Sequence, residues 1–197
     1  MSTLHELWRR LAAIGATVAL VATVLVATAQ PASAYGTLNV RYAVVNTTST
    51  ANCARVPGGG TLPIIKQSNG CRLNDSIDGT VFLWDAGGEA HKSEFRNGSS
   101  LVAKVEFHPY DEKLWIYDTA EDRDTIYVFI FLQNTAGETV GSLGPYTAPA
   151  TGAVVEYRVV DLSWNGTNDI PEGWVLTMWF CDDAACNILI ESGWGVA

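Results

Sequence analysis

The chain has 197 residues, 48% of them hydrophobic, and 21 acidic side chains against 12 basic ones give a formal net charge of −9. That balance argues against nucleic acid and anionic membrane surfaces as partners, because both need a basic face to replace counterions. The length suits one domain with a core large enough to fold alone, preceded by a short leader.

Arg9 and Arg10 precede Leu11 to Ala29, an apolar run without charge, and Ala32-Ser33-Ala34 supplies the small residues behind which a signal peptidase cuts. Residues 1–34 therefore read as a signal peptide, and 35–197 as a single secreted β domain beginning at Tyr35. The run is long enough to cross a bilayer, but its Ala- and Thr-rich make-up and the cleavage pattern favour export to the extracellular medium. Without Glu6, Arg9 and Arg10, ten basic residues face twenty acidic ones.

Period two then dominates. Leu38, Val40, Tyr42 and Val44 share one face of a strand over 37–45, with Asn39, Arg41 and Ala43 on the other. Further strands are expected over 61–66, 79–85, 101–108, 113–118, 126–132, 153–162, 174–180 and 187–192. In Leu101–His108 the apolar residues alternate with Lys104, Glu106 and His108, the pattern of a half-buried strand whose polar side meets solvent. Residues 126–132 and 174–180 are apolar on both faces and read as central strands covered on each side. Asp85-Ala86-Gly87-Gly88, Asn134–Gly137 and Asn165-Gly166 supply turn chemistry. Residues 46–60 and 144–152 read as longer loops crossing between sheets. Eight or nine strands, with no sustained helical stripe, predict an all-β fold: an antiparallel β-sandwich, with a β-barrel as the alternative.

Cysteines stand at 53, 71, 181 and 186, an even set in an exported chain. The polar Asp182-Asp183-Ala184-Ala185 link suits a hairpin that brings Cys181 to Cys186, leaving Cys53 for Cys71. Closing that second loop contributes roughly 3 kcal/mol by restricting the unfolded chain. Zinc or redox chemistry would call for C-x-x-C spacing, which neither pair has.

Catalytic signatures are missing. The mature chain holds His91 and His108 but neither G-x-S-x-G nor H-E-x-x-H, so no catalytic, metal or cofactor residues are assigned. Glu106 beside His108 reads as a solvent-facing pair. Residues 118–124 form an acidic turn, and 74–85, NDSIDGTVFLWD, match a calcium loop weakly because Asn74 and Asp85 stand where Asp and a bidentate Glu belong.

The tryptophans at 84, 115, 174 and 179 fall within strand patterns and read as core. Trp164, in Ser163-Trp164-Asn165-Gly166, and Trp194, in Gly193-Trp194-Gly195, are the candidates for a ligand-binding surface, including a platform for sugar rings.

The Ala- and Val-rich leader ending PASAYG resembles export signals of high-GC Gram-positive bacteria. A small two-disulfide β domain that starts directly on a strand is similar in outline to the adaptor subunits of secreted umbrella toxin particles. That resemblance implies an adaptor role in an extracellular, antibacterial toxin complex and assigns no residue. The functional expectation is thus a secreted, non-enzymatic protein-binding module without cofactors. Its partner, another secreted protein, is met through a sheet edge or through the N-terminal strand at Leu38, Val40 and Tyr42 by β-augmentation. The alternative is a carbohydrate-binding module or small glycosidase acting on polysaccharide.

Overall fold

The computed structural model describes residues 35, 37–48, 53–122, 124–152, 154–167 and 169–197; the expected leader lies outside them. Every regular element in this range is a β-strand. No described helix is long and apolar enough to cross a membrane.

Two antiparallel layers form the body. One is built from β1 (Asn39–Asn46), β6 (Glu89–Asn97), β7 (Ser100–His108), β8 (Lys113–Asp118) and β11 (Glu156–Asp161), and β2 (Arg55–Gly60) extends it beside β1. The other runs in the order β10 (Thr139–Tyr146), β9 (Tyr127–Gln133), β12 (Val175–Cys181) and β13 (Leu189–Val196). The layers meet at one corner, where Val196 pairs with Glu89, so the sandwich is nearly closed like a barrel. Phe95, Val105, Phe107 and Ile116 from the first layer interdigitate with Val128, Ile130, Leu132, Leu176, Met178 and Phe180 from the second, all fully buried. Phe95 meets Phe180 edge to face, with ring centroids 5.3 Å apart, an arrangement that adds to simple burial.

A third, smaller sheet was not anticipated. β3 (Ile65–Lys66), β4 (Gly70–Asn74) and β5 (Gly79–Leu83) form an antiparallel trio. A second core joins Leu62, Leu73 and Phe82 to Ala43, Val45 and Ala90, so the trio covers the outer face of β1 and β6. Cys53–Cys71 lies within this second core, and Cys181–Cys186 staples the β12–β13 connection, both as the sequence predicts.

Several expectations need correction. β2 arises inside the expected loop 46–60 and returns beside β1 in the same layer, while β4, β6 and β10 lie where no strand is expected. The end of β2 needs glycine where it lies against β1: a side chain at Gly60, whose φ is +71°, would sit 2.1 Å from the Tyr42 carbonyl oxygen. β9 and β12 are not covered on both faces. Their burial alternates, and outward-facing Trp179 is exposed against Phe131 rather than in the core. β6 and β7 are buried on both sides, and Lys104 and Glu106 are sealed under the third sheet rather than facing water.

Candidate functional site

The covered face of β6 and β7 holds the densest chemistry. Period two puts Lys92 of β6 and Lys104, Glu106 and His108 of β7 on the side away from the main core, and the β4–β5 connection lowers Asp75 and Asp78 onto them. The Lys104 ammonium lies 2.6 Å from Asp78 Oδ1, 3.0 Å from Asp75 Oδ2 and 3.0 Å from Glu106 Oε1. It also sits 3.8 Å from the centre of the Tyr117 ring. Lys92 pairs with Asp75 and donates to the Leu73 carbonyl at 2.9 Å. The Thr80 hydroxyl, at 2.8 Å from Asp78 Oδ1 and 2.7 Å from Glu106 Oε1, bridges those two carboxylates. Glu106 Oε2 faces His108 Nε2 at 3.4 Å.

Burial alone would raise these acids. The lysines and the Asp78 backbone N–H overcome that for Asp75 and hold it down to about 2. For Glu106, burial is likewise outweighed by His108, Lys104 and Lys92, which lower it. Burial opposes the Lys104 charge, yet Glu106, Asp78 and Asp75 raise its pKa. Asp75, Glu106 and Lys104 are therefore held in their charged forms. Asp75, Asp78 and Glu106 bring one oxygen each within 4.8 Å of one another, close enough for a cation, but the two ammonium groups already serve those oxygens. The weak calcium-loop match of 74–85 is thus accounted for by lysine pairing. A cavity of about 220 Å³ is lined by Asp78, Thr80, Glu106 and His108 together with Trp115 and Tyr117.

Beyond the cavity lies an aromatic strip. Trp115 and Tyr117 on β8 stack with each other at 6.2 Å and with Tyr157 on β11 at 6.1 and 5.7 Å. Tyr157 is 58% exposed and neighbours exposed Val154, Val155 and Val159. β11 pairs only with β8 and so ends its layer, with all six residues in regular register. The opposite edge, β10, is interrupted by register shifts and by Pro145, which has no N–H to donate.

No family model, no curated protein and no solved structure matches the chain.

The residues singled out from the sequence are dispersed. Leu38 and Val40 pack against the main core, and Tyr42 donates its hydroxyl to the Gly58 carbonyl at 3.1 Å, so all three are engaged within this chain. Trp164 is half-buried against Trp174, 6.1 Å away, and a side chain at Gly141 would overlap its ring. Trp194 is half-buried. Its flanking glycines explain why: Gly193 and Gly195 face inward, where a Cβ would strike His91 at 2.3 Å and Phe107 at 2.3 Å, leaving Trp194 on the outer side.

His91 is not a surface base. It is fully buried and 2.7 Å from Ser93 Oγ, and its loss of hydration, partly opposed by a bond to the Trp194 backbone, lowers it to about 4. Ser93 is fully buried too, so no substrate reaches this pair. The 118–124 segment is not a wholly solvated turn. It crosses between layers, Asp118 is buried, and burial reinforced by Asp122, Glu156 and Asp124 raises Asp118 to about 6 despite the Ala120 N–H. A separate acidic cleft of about 650 Å³ is lined by Asp85, Glu112, Asp161, Asp169 and Glu172 with Lys113. Burial, then Asp169, Glu172 and Asp85, push Glu112 up to about 8, so it is protonated at neutral pH and hydrogen-bonds Asp169.

Sequence reasoning missed the lysine–carboxylate network because each member, taken alone, reads as a solvated polar residue. The one available signal was Lys104 and Glu106 in a strand otherwise rich in apolar residues, Leu101–Phe107.

Proposed function

We propose that the chain is a secreted, non-enzymatic protein-binding module, an adaptor in an extracellular assembly, and that it receives its partner along β11. The observation that carries this is an unblunted edge strand next to exposed apolar side chains: Tyr157 and Val159 lie on a regular outermost strand, and exposed Val155 immediately precedes it. Such an edge offers main-chain hydrogen bonds for affinity and alternate side chains for specificity. Natural sheets normally interrupt such edges, as β10 does here. The buried state of His91 and Ser93, and the lysine pairing of Asp75 and Glu106, also favour a binding role over turnover. The resemblance to toxin-particle adaptors agrees with this reading without adding residues to it.

The test is capture from the native culture medium with wild-type protein and with the Val155→Lys/Val159→Lys double variant. Recovery of a protein by the wild type alone, with both forms folded, supports the edge as the docking site. Equal recovery by both forms, or retention of the wild type on polysaccharide with no protein captured, overturns it.

A further inference from the structure

The lysine network is more than a set of ion pairs. We propose that Lys104 and Asp78 join covalently after folding, forming an amide between Lys104 Nζ and Asp78 Cγ that cross-links β7 to the β4–β5 connection, with Glu106 as the catalytic residue.

Four groups make a closed hydrogen-bonded ring. Lys104 Nζ touches Asp78 Oδ1 at 2.6 Å and Glu106 Oε1 at 3.0 Å, and the Thr80 hydroxyl closes the circuit at 2.8 Å to Asp78 and 2.7 Å to Glu106. Glu106 takes a proton from the ammonium, which frees the nitrogen lone pair. Thr80 relays a proton from Glu106 to Asp78. The amine then attacks Cγ, a second nitrogen proton passes by the same route, and the Cγ–Oδ1 bond breaks. Ammonium and carboxylate become amide and one water, with no change in oxidation level and no other reactant.

Three features favour this in place of hydrolysis. The amine and acid are held in contact, which supplies the large effective concentration of an intramolecular reaction. Lys104 is sealed and Glu106 almost so, so an amide to the partly exposed Asp78 removes the Lys104 charge from an enclosed site where it is expensive to desolvate. The water has somewhere to go, because Asp78 and Thr80 border the cavity of about 220 Å³. Since Lys104 and Glu106 rest in their charged forms, the reaction draws on a minor neutral tautomer of that pair and follows folding rather than preceding it.

Asp75 is the poorer electrophile. Backbone N–H groups of Ile77 and Asp78 donate to its Oδ1 at 2.6 and 2.9 Å and stabilise the carboxylate, and its side chain is fully enclosed with no path for leaving water. Lys92 is tied to the Leu73 carbonyl and lies 3.5 Å from Glu106, farther than Lys104.

Intact mass spectrometry of the full secreted chain, reduced, alkylated and denatured, should show a mass one water below that of the sequence. Proteolysis should yield a branched peptide joining the segments that hold Lys104 and Asp78. Full mass in the aged wild type overturns the proposal. So does a water loss that maps to a linear peptide containing Asp78-Gly79, which signals cyclisation onto the Gly79 nitrogen, or a branch at Lys92 or Asp75. Lys104→Arg should restore the full mass. Glu106→Gln should do so while retaining a cooperative melt, and wild-type conversion in Glu106→Gln removes Glu106 from the mechanism.

Discussion

The main-chain nitrogen of Tyr35 donates to the Asp182 carboxylate at 3.0 Å, joining positions 147 residues apart. Asp182 is nearly buried and Tyr35 packs against the main core, so this bond pins the start of the domain to the β12–β13 connection. If processing follows Ala34, that nitrogen carries the terminal positive charge and the contact becomes an ion pair. Asp182→Asn should then destabilise a chain starting at Tyr35 by about 2 kcal/mol, the scale of a hydrogen bond to a charged group. The same substitution should cost less in a chain extended before Tyr35. Thermal melts of the four proteins check this, and equal losses would show that the charge is irrelevant.

The acidic cleft gives the protein an alkaline weakness. Glu112 has a folded pKa of about 8 against an ordinary 4.5, raised first by burial, so the stability it contributes is complete below about 4.5 and is lost as pH rises through about 8. Asp118, raised to about 6, acts in the same sense at lower pH. His91, lowered from 6.5 to about 4, opposes it there, since its contribution is complete above 6.5 and is lost as pH falls. The melting temperature should therefore decline from near pH 6.5 to about pH 8. Glu112→Gln should flatten that decline and leave the pH dependence unchanged only below about pH 4.5. A wild-type melt that rises over this range would contradict the Glu112 assignment.

Phe180 and Trp179 are neighbours on β12 that point to opposite sides. Phe180 is fully buried against Phe95, and Trp179 is 41% exposed. Phe180→Ala should cost about 3–5 kcal/mol, as large aromatic truncations in cores do. Trp179→Ala should cost well under half as much, because its outer face meets solvent. Denaturant titrations of the two variants make the comparison.

The strand composition explains what was legible and what was not. Alternation in Lys113–Asp118 is a local property of the chain, and the strand appears there with those bounds. Uniformly apolar 126–132 and 174–180 suggested cover on both sides, yet Phe131 and Trp179 shield each other on an open face. Conversely, Glu89–Asn97 is so polar that no strand was expected, although it is the central strand between β1 and β7. Its Lys92 can be buried because an ionic partner, Asp75, arrives from the β4–β5 connection, and Glu94 because Arg96, two residues along the same strand, brings its guanidinium to 2.8 Å. Partners distant in sequence cannot be read from periodicity, and so the network that makes up the candidate site was invisible. The disulfides were legible because five-residue spacing and a polar turn leave Cys181 little choice.

The N-terminal strand is the sharpest test of how this domain holds itself together. β1 pairs with β6 along all eight of its residues, from Asn39 with Arg96 to Asn46 with Glu89. On its other side Ala43 and Val45 pair with β2, and Ala43, Val44 and Val45 are fully buried between the two cores. Removing Tyr35 to Val44 would strip a ladder from β6, uncover apolar surface in both cores and free the Asp182 carboxylate. Burial of each Val or Leu side chain contributes about 1.5–3 kcal/mol, so the loss is comparable with the whole stability of a domain this size. The truncated chain should fail to give a cooperative melt. Single substitutions separate structure from docking more gently: Val40→Ala should lower stability without reducing capture of a partner bound along β11, whereas Val159→Lys should reduce capture without lowering stability. A truncated chain that still melts cooperatively, but no longer binds, would return the partner site to Leu38, Val40 and Tyr42.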